Sequence, residues 1–328
     1  SLCQSNQEFN RYNNILIIEM LRIKFFFSVL GLVLLGVKSG FCGKIQEPTC
    51  FIIEKSPKGF LNNNFYYHDI ALVGHPIHFF DDTVKIYIQE PIFLLHANEF
   101  QTPYLIYPYE KIHVKFETSG EVYMYIPNNE QRTFELNFFL EIVKKTGNLS
   151  YAFKIAPFVK KISTSKQLST FEQYIFKTKK ERLGLLRTYL NRNLISLSFS
   201  NIAYNSINSV AFNDSLKLYT VNIRYLKNAG ILTKRIDEKK KTMSLINLMH
   251  FRYSLEALNG LLSICIENSN PNLKNADRRE LRNFILNNFQ GEYQEYLLFK
   301  MIFNDLNSYA KVEDRDIKAF YESCSVLD

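Results

Sequence analysis

Tryptophan is absent from the 328 residues, and cysteine is sparse: Cys3, Cys42, Cys50, Cys265 and Cys324. No two of them form a Cys-x-x-Cys pair. A dithiol redox centre needs two sulfurs close enough to make and break a bridge. A structural zinc site needs four ligands at paired spacings. Neither pattern occurs. Glycine is also scarce, with 12 scattered residues and no G-x-x-x-x-G-K-[ST] run, which excludes a phosphate loop. No dense block of one charge exists either. The formal charge is +8, and +6 remains beyond residue 43. Lys177–Lys180 and Lys239-Lys240-Lys241 are interrupted or flanked by helix-forming and apolar residues and read as solvated helix faces or loops. The basic face that nucleic acid requires is missing, so no nucleic-acid partner is expected.

What is present suits a folded chain. Hydrophobic residues make up 46% and charged residues 22%, which predicts buried cores rather than disorder. The 28 Phe and 20 Tyr, with many Asn, Lys and Ile, read as the coding bias of an AT-rich genome rather than as a function.

Residues 20–43 have the order of a secretory signal: the basic stretch Met20–Lys24, the uncharged apolar run Phe25–Val37, then Lys38-Ser39-Gly40-Phe41-Cys42-Gly43. The run is short for a permanent span of a hydrocarbon core about 30 Å thick. Met20 is the expected start, with cleavage after Cys42. Residues 1–43 are therefore read as upstream residues and signal peptide, and the mature protein as periplasmic or on a bacterial cell surface. Membrane association is expected only through an uncleaved signal or lipidation at Cys42, although Phe41 stands where lipidation wants a small residue. After cleavage Cys50, Cys265 and Cys324 remain. One long-range disulfide stays open without a chosen pair, and Cys265 reads as a small buried hydrophobe in a helix.

The fold class expected is α+β: a small N-terminal antiparallel β-sandwich or barrel over residues 44–127, then a helical domain over 128–328. Strands are read at 49–55, 69–74, 83–89, 92–97, 104–107, 112–118 and 122–126, with turn residues between them. Lys111–Phe116 alternates cleanly, with Ile112, Val114 and Phe116 on one face. Beyond Ile126-Pro127-Asn128-Asn129 an apolar stripe through Phe134, Phe138 and Ile142 predicts a helix ending near Gly147. Further helices are read at 169–191, 196–227, 243–266, 277–289, 292–309 and 313–324, with Ser269-Asn270-Pro271-Asn272 as a breaker.

Tests for chemistry assign no catalytic, cofactor-binding or metal-ligating residue. His75-Pro76-Ile77-His78 is the one tight histidine pair, and odd spacing in a strand sends the two rings to opposite faces. His68 stands beside Asp69 with no recognisable nucleophile. Tyr66, Tyr67, Tyr104, Tyr107, Tyr109, Tyr123 and Tyr125 read as ordinary strand aromatics, the competing reading being a ligand platform.

Two stretches carry a family resemblance. The first is Glu90–Leu94 through Pro103–Ile112, containing Pro108-Tyr109-Glu110. The second is Asn129–Phe139, where Arg132 precedes Glu135-Leu136-Asn137-Phe138-Phe139. Together they resemble the N-terminal region of secreted TlpA-like thiol-disulfide oxidoreductases of Bacteroidetes-type bacteria, with Tyr109 in place of the glycine of a Pro-Gly-Glu turn. The resemblance implies that redox chemistry resides in a C-terminal thioredoxin-like domain bearing Trp-Cys-x-x-Cys, a motif this sequence does not hold. The expectation is a non-catalytic envelope protein, the binding or accessory region of such a protein, truncated or standing alone, without a cofactor and with room for a protein or peptide partner. The alternatives are an unrelated secreted binding or structural module, and a hydrolase whose site is scattered along the chain.

Overall fold

The computed structural model describes residues 47–54, 64–68, 74–79, 82–96, 102–117, 120–147, 162–243, 252–269 and 278–307. The signal segment, Cys3, Cys42, Cys324, the expected helix 313–324 and nearly all of the expected strand 69–74 lie outside them. The architecture is α+β. Strands come first: β1 (Thr49–Glu54), β2 (Asn64–His68), β3 (Gly74–His78), β4 (Thr83–Ile86), β5 (Ile92–His96), β6 (Pro103–Ile106), β7 (Lys111–Phe116) and β8 (Val122–Tyr125). Helices follow: α1 (Glu130–Thr146), α2 (Ser165–Asn191), α3 (Leu197–Val221), α4 (Ile223–Asn228), α5 (Leu232–Met243), α6 (Arg252–Ser269), α7 (Arg278–Asn288) and α8 (Glu292–Asn307).

The strands form two four-stranded sheets, ordered β4-β1-β7-β8 and β3-β2-β5-β6. Among the described residues no pairing closes them into a barrel. The expected all-antiparallel pairing also fails at one place: β1 runs parallel to β7, with Cys50 opposite Lys111 and Glu54 opposite Lys115. The cause is topological. Parallel neighbours need a long crossover, and the whole second sheet lies in the chain between these two strands.

The alternation of β7 holds, with Ile112, Val114 and Phe116 buried and Lys111 and Lys115 exposed. The buried side of the first sheet (Phe51, Val114, Met124) joins Phe65, Ile77, Leu94 and Tyr104 of the second in one apolar cluster. The opposite face of the second sheet is also covered: Phe93 and Leu105 pack with Phe138, Phe139, Phe199 and Tyr253 from the helices. Burial on both faces explains why β5 and β6 read as uninterrupted apolar runs. Strands β2 and β3 lie where the sequence shows turn residues and a proline. Pro76 is tolerated because β3 is an edge strand.

Helix α1 starts as expected, Asn129 Oδ1 accepting from the Arg132 amide at 3.0 Å, and stops at Gly147 with φ 78°. The expected helix 196–227 is two helices. It passes unbroken through Asn213-Asp214-Ser215 and turns at Asn222, whose side chain accepts from Ile162 N at 2.7 Å and donates to Leu218 O at 2.9 Å. Helix α3 is the centre of the array. Its first half (Phe199, Ala203, Ile207) faces the second sheet, and its second half (Phe212, Leu216, Leu218) lies in a core shared with α2 and α4–α8. Helix α5 lies outside the helices expected from the sequence, and its buried residues are Leu232, Ile236 and Met243.

Candidate functional site

The side of the first sheet turned away from its core carries a compact polar and aromatic group. The pleat sends alternate residues outward, and the register sets Glu54 opposite Lys115, His113 opposite Tyr125, and Lys115 opposite Tyr123. Glu54 is the hub. Its Oε1 accepts the Tyr125 hydroxyl and lies 3.5 Å from His113 Nδ1. The His113 and Tyr125 rings are 5.0 Å apart, and Tyr123 continues the row at 6.3 Å from Tyr125. Lys115 Nζ pairs with Glu117 at 2.9 Å. The hydrogen bond to Glu54 raises the Tyr125 phenol above its ordinary pKa, so its proton is retained. A phenol that holds its proton and an imidazole beside a carboxylate suit recognition: flat rings to stack upon, flanked by donors and acceptors. Cys50 lies on the same side, in register with Lys85 and Lys111, and its Sγ–H points to Pro48 O at 3.7 Å.

A second constellation joins sheet to helix. The turn after β6 bends through Tyr109 with φ 66°, a left-handed conformation that favours glycine. Thr49 Oγ1 accepts the Tyr109 amide at 2.8 Å, and Glu110 Oε2 accepts the Tyr107 amide at 2.9 Å. Arg132, 7% exposed, grips this turn. Its Nε donates to Glu110 Oε1 at 2.6 Å and its Nη2 to Glu110 Oε2 at 3.1 Å, the planar fork a carboxylate matches. Nη2 also donates to the Leu105 carbonyl, and the guanidinium carbon lies 4.6 Å from the centre of the Tyr107 ring. Glu135 takes Arg132 Nη1 at 3.4 Å and, through its other oxygen, the Ser196 amide at the start of α3 at 2.8 Å. Asn137 accepts from Met124 N at 3.1 Å and donates to Met124 O at 2.6 Å. It thus imitates a neighbouring strand on the open edge of β8.

The histidines of the sequence reading stay apart. His75 is half-buried and stacks on Tyr67 at 4.9 Å, while His78 is exposed on the other face. His68 meets Tyr66 edge-on at 5.3 Å, and Asp69 lies outside the described residues. Cys50 and Cys265 are free thiols in different parts of the fold, Cys265 being buried with its thiol pushed up to about 11. Two perturbed groups escaped the sequence reading. Asp214, 4% exposed on α3, is pushed up to about 7 by burial, and Lys239 on α5 is pushed down to about 8 by the same cause. Lys239 carried a readable signal: it falls in the stripe of Leu232, Ile236 and Met243. Asp214 carried none, because a single acid on a helix looks like surface charge. No protein family, curated protein or solved structure matches this chain.

Proposed function

We propose that this chain is an exported, non-catalytic binding or accessory protein of the bacterial envelope, built like the N-terminal region of TlpA-like proteins. One observation carries the reading. The two sequence stretches that bear the resemblance close on each other, Glu110 of the Pro-Tyr-Glu turn held in the fork of Arg132. Tyr109 takes up the left-handed geometry that a glycine in its place would supply. The strand region is read as a β-sandwich, which the apolar cluster shared by both sheets supports. The partner surface is assigned to Glu54, His113, Lys115, Tyr123 and Tyr125, and the partner class is protein or peptide.

The test has two arms. A fusion of residues 20–328 to alkaline phosphatase in a Gram-negative host is expected to be enzymatically active, as export requires, and an inactive, full-length cytoplasmic fusion refutes the location. The purified chain, supplied with a thiol reductant, is expected to leave insulin disulfide reduction at its uncatalysed rate. Turnover that disappears in Cys50→Ser would overturn the non-catalytic reading.

A further inference from the structure

An unpaired sheet edge offers main-chain donors and acceptors to any extended chain that reaches it. The two sheets end at β4, β8, β3 and β6, and three of these ends are guarded. Asn137 takes both backbone groups of Met124 on β8. Arg132 Nη2 takes the Leu105 carbonyl on β6. Pro76 removes a donor from β3. Strand β4, Thr83-Val84-Lys85-Ile86, holds no proline, and among the described residues it pairs with β1 alone. The register shows which of its backbone groups are open. Ile53 N donates to Asp82 O at 2.8 Å, and bonded and non-bonded pairs alternate along an antiparallel ladder. Val84, opposite Phe51, and Ile86, opposite Thr49, therefore bond to β1, while the N–H and C=O of Thr83 and Lys85 point outward from it.

We propose that β4 takes up an extended segment of a partner protein as an added antiparallel strand, with an acidic residue opposite Lys85 and apolar residues opposite Val84 and Ile86. Main-chain bonding supplies the attachment and alternate side chains supply the choice of segment. Side chains directly opposite share a face of the sheet. Val84 and Ile86 are half-buried at the rim of the core between the sheets, so apolar residues opposite them continue that core. On the other face Lys85 lies in line with Cys50 and Lys111. Both lysines are exposed, and among the described residues neither has an ion pair, so a carboxylate beside them is favoured. Tyr87, 67% exposed, follows the strand directly and adds an aromatic surface. A second copy of this chain fits less well. The self-pairing centred on Lys85 sets two ammoniums directly opposite each other, which is destabilising. The edge acts through its backbone and stands whether or not the group around Glu54 binds a partner.

The experiment is fluorescence anisotropy of the full chain with a labelled peptide, Gly-Thr-Val-Glu-Val-Glu-Val-Thr-Gly, and with its counterpart carrying Lys for Glu. The expected result is saturable binding of the acidic peptide, at least tenfold tighter than the basic one. N-methylation at both glutamates removes donors that face β4 and should weaken binding about tenfold, whereas N-methylation at the valines removes donors that face away and should leave it within about twofold. Lys85→Glu turns attraction into repulsion and should weaken the acidic peptide about tenfold. Thr83→Pro removes one outward donor, keeps the bonds to β1 and should weaken it about threefold or more. Circular dichroism and melting confirm that both variants fold. Absence of saturation overturns the proposal, as do equal binding of the two peptides and equal effects of the two methylation patterns. Sedimentation velocity supplies a further check: a dimer that Thr83→Pro dissolves would give the edge to a second copy and overturn the partner strand.

Discussion

Asp214 offers the sharpest test of the energetics. Its carboxyl is 4% exposed in the middle of α3, and Oδ1 has no hydrogen-bond partner. Burial raises its pKa from 3.8 to about 7, and the charges of Lys217 and Arg182 only partly oppose that. In the unfolded chain the acid ionises near its ordinary value, so between pH 4 and 7 the unfolded state releases a proton that the folded state keeps. Stability is therefore highest below the ordinary carboxyl range, falls as pH rises toward 7, and levels off above it. At 1.36 kcal/mol per pKa unit the whole effect is on the order of 4 kcal/mol, and the part between pH 5 and pH 8 is about 2–3 kcal/mol. Asp214→Asn keeps the shape and removes the ionisation. It retains the cost of an imperfectly satisfied buried polar group, about 1–3 kcal/mol, but that cost does not change with pH. Urea unfolding of both proteins at pH 5, 6, 7 and 8 isolates the term. The variant gains on the parent by about 2–3 kcal/mol across the series, and its own profile is flatter by that amount. Parallel profiles would show that Asp214 ionises freely in the folded protein and that its burial has been misjudged.

Two further expectations concern the joint between sheet and helix. Arg132→Met leaves the buried Glu135 and the half-buried Glu110 without their cation, and should lower stability by about 3–5 kcal/mol. Arg132→Lys keeps the charge, loses the fork and should fall in between. Urea midpoints rank the three proteins, and a methionine variant as stable as the parent would deny the joint its role. Tyr109 is 52% exposed at φ 66°. Tyr109→Gly should cost under about 1 kcal/mol or stabilise, since it relieves the left-handed strain. Tyr109→Val should destabilise by about 1–2 kcal/mol, because a branched Cβ fits this conformation worst. Melting curves with the opposite ranking would refute the turn geometry.

How much the sequence revealed depended on whether a residue's role lay in its neighbours or across the fold. Strand β7 was legible because one face is solvated and the other buried, so polarity alternates with the pleat. Helix α1 was legible from its stripe, the break at Pro127-Asn128-Asn129 before it and Gly147. Strand β2 was missed because its first residue closes an Asn-Asn-Asn turn signal while its aromatic residues carry no clean alternation. The parallel pairing of β1 and β7 leaves no local mark at all. On the outer face of the first sheet, Glu54 lies far in sequence from His113 and Tyr125, and only the sheet register unites them. Lys179 and Lys239 illustrate the converse. Each sits in a run that looks solvated, yet both are half-buried while Lys177, Lys180 and Lys241 are exposed.

Helix α1 shows why these distant parts behave as one. Leu136 enters the core between the sheets, Phe138 and Phe139 enter the core beneath the helices, and Arg132 and Glu135 tie the turn after β6 to the start of α3. Asn137, between those core residues, pins both backbone groups of Met124. The next residue along β8 is Tyr125, whose hydroxyl meets Glu54. A shift of α1 by even one residue would expose two aromatic rings, strand a buried arginine and slip the edge of β8. A one-residue slip in a strand sends every side chain to the wrong face. The aromatic row on the outer face of the first sheet is therefore held in place by a helix none of whose own residues belongs to it.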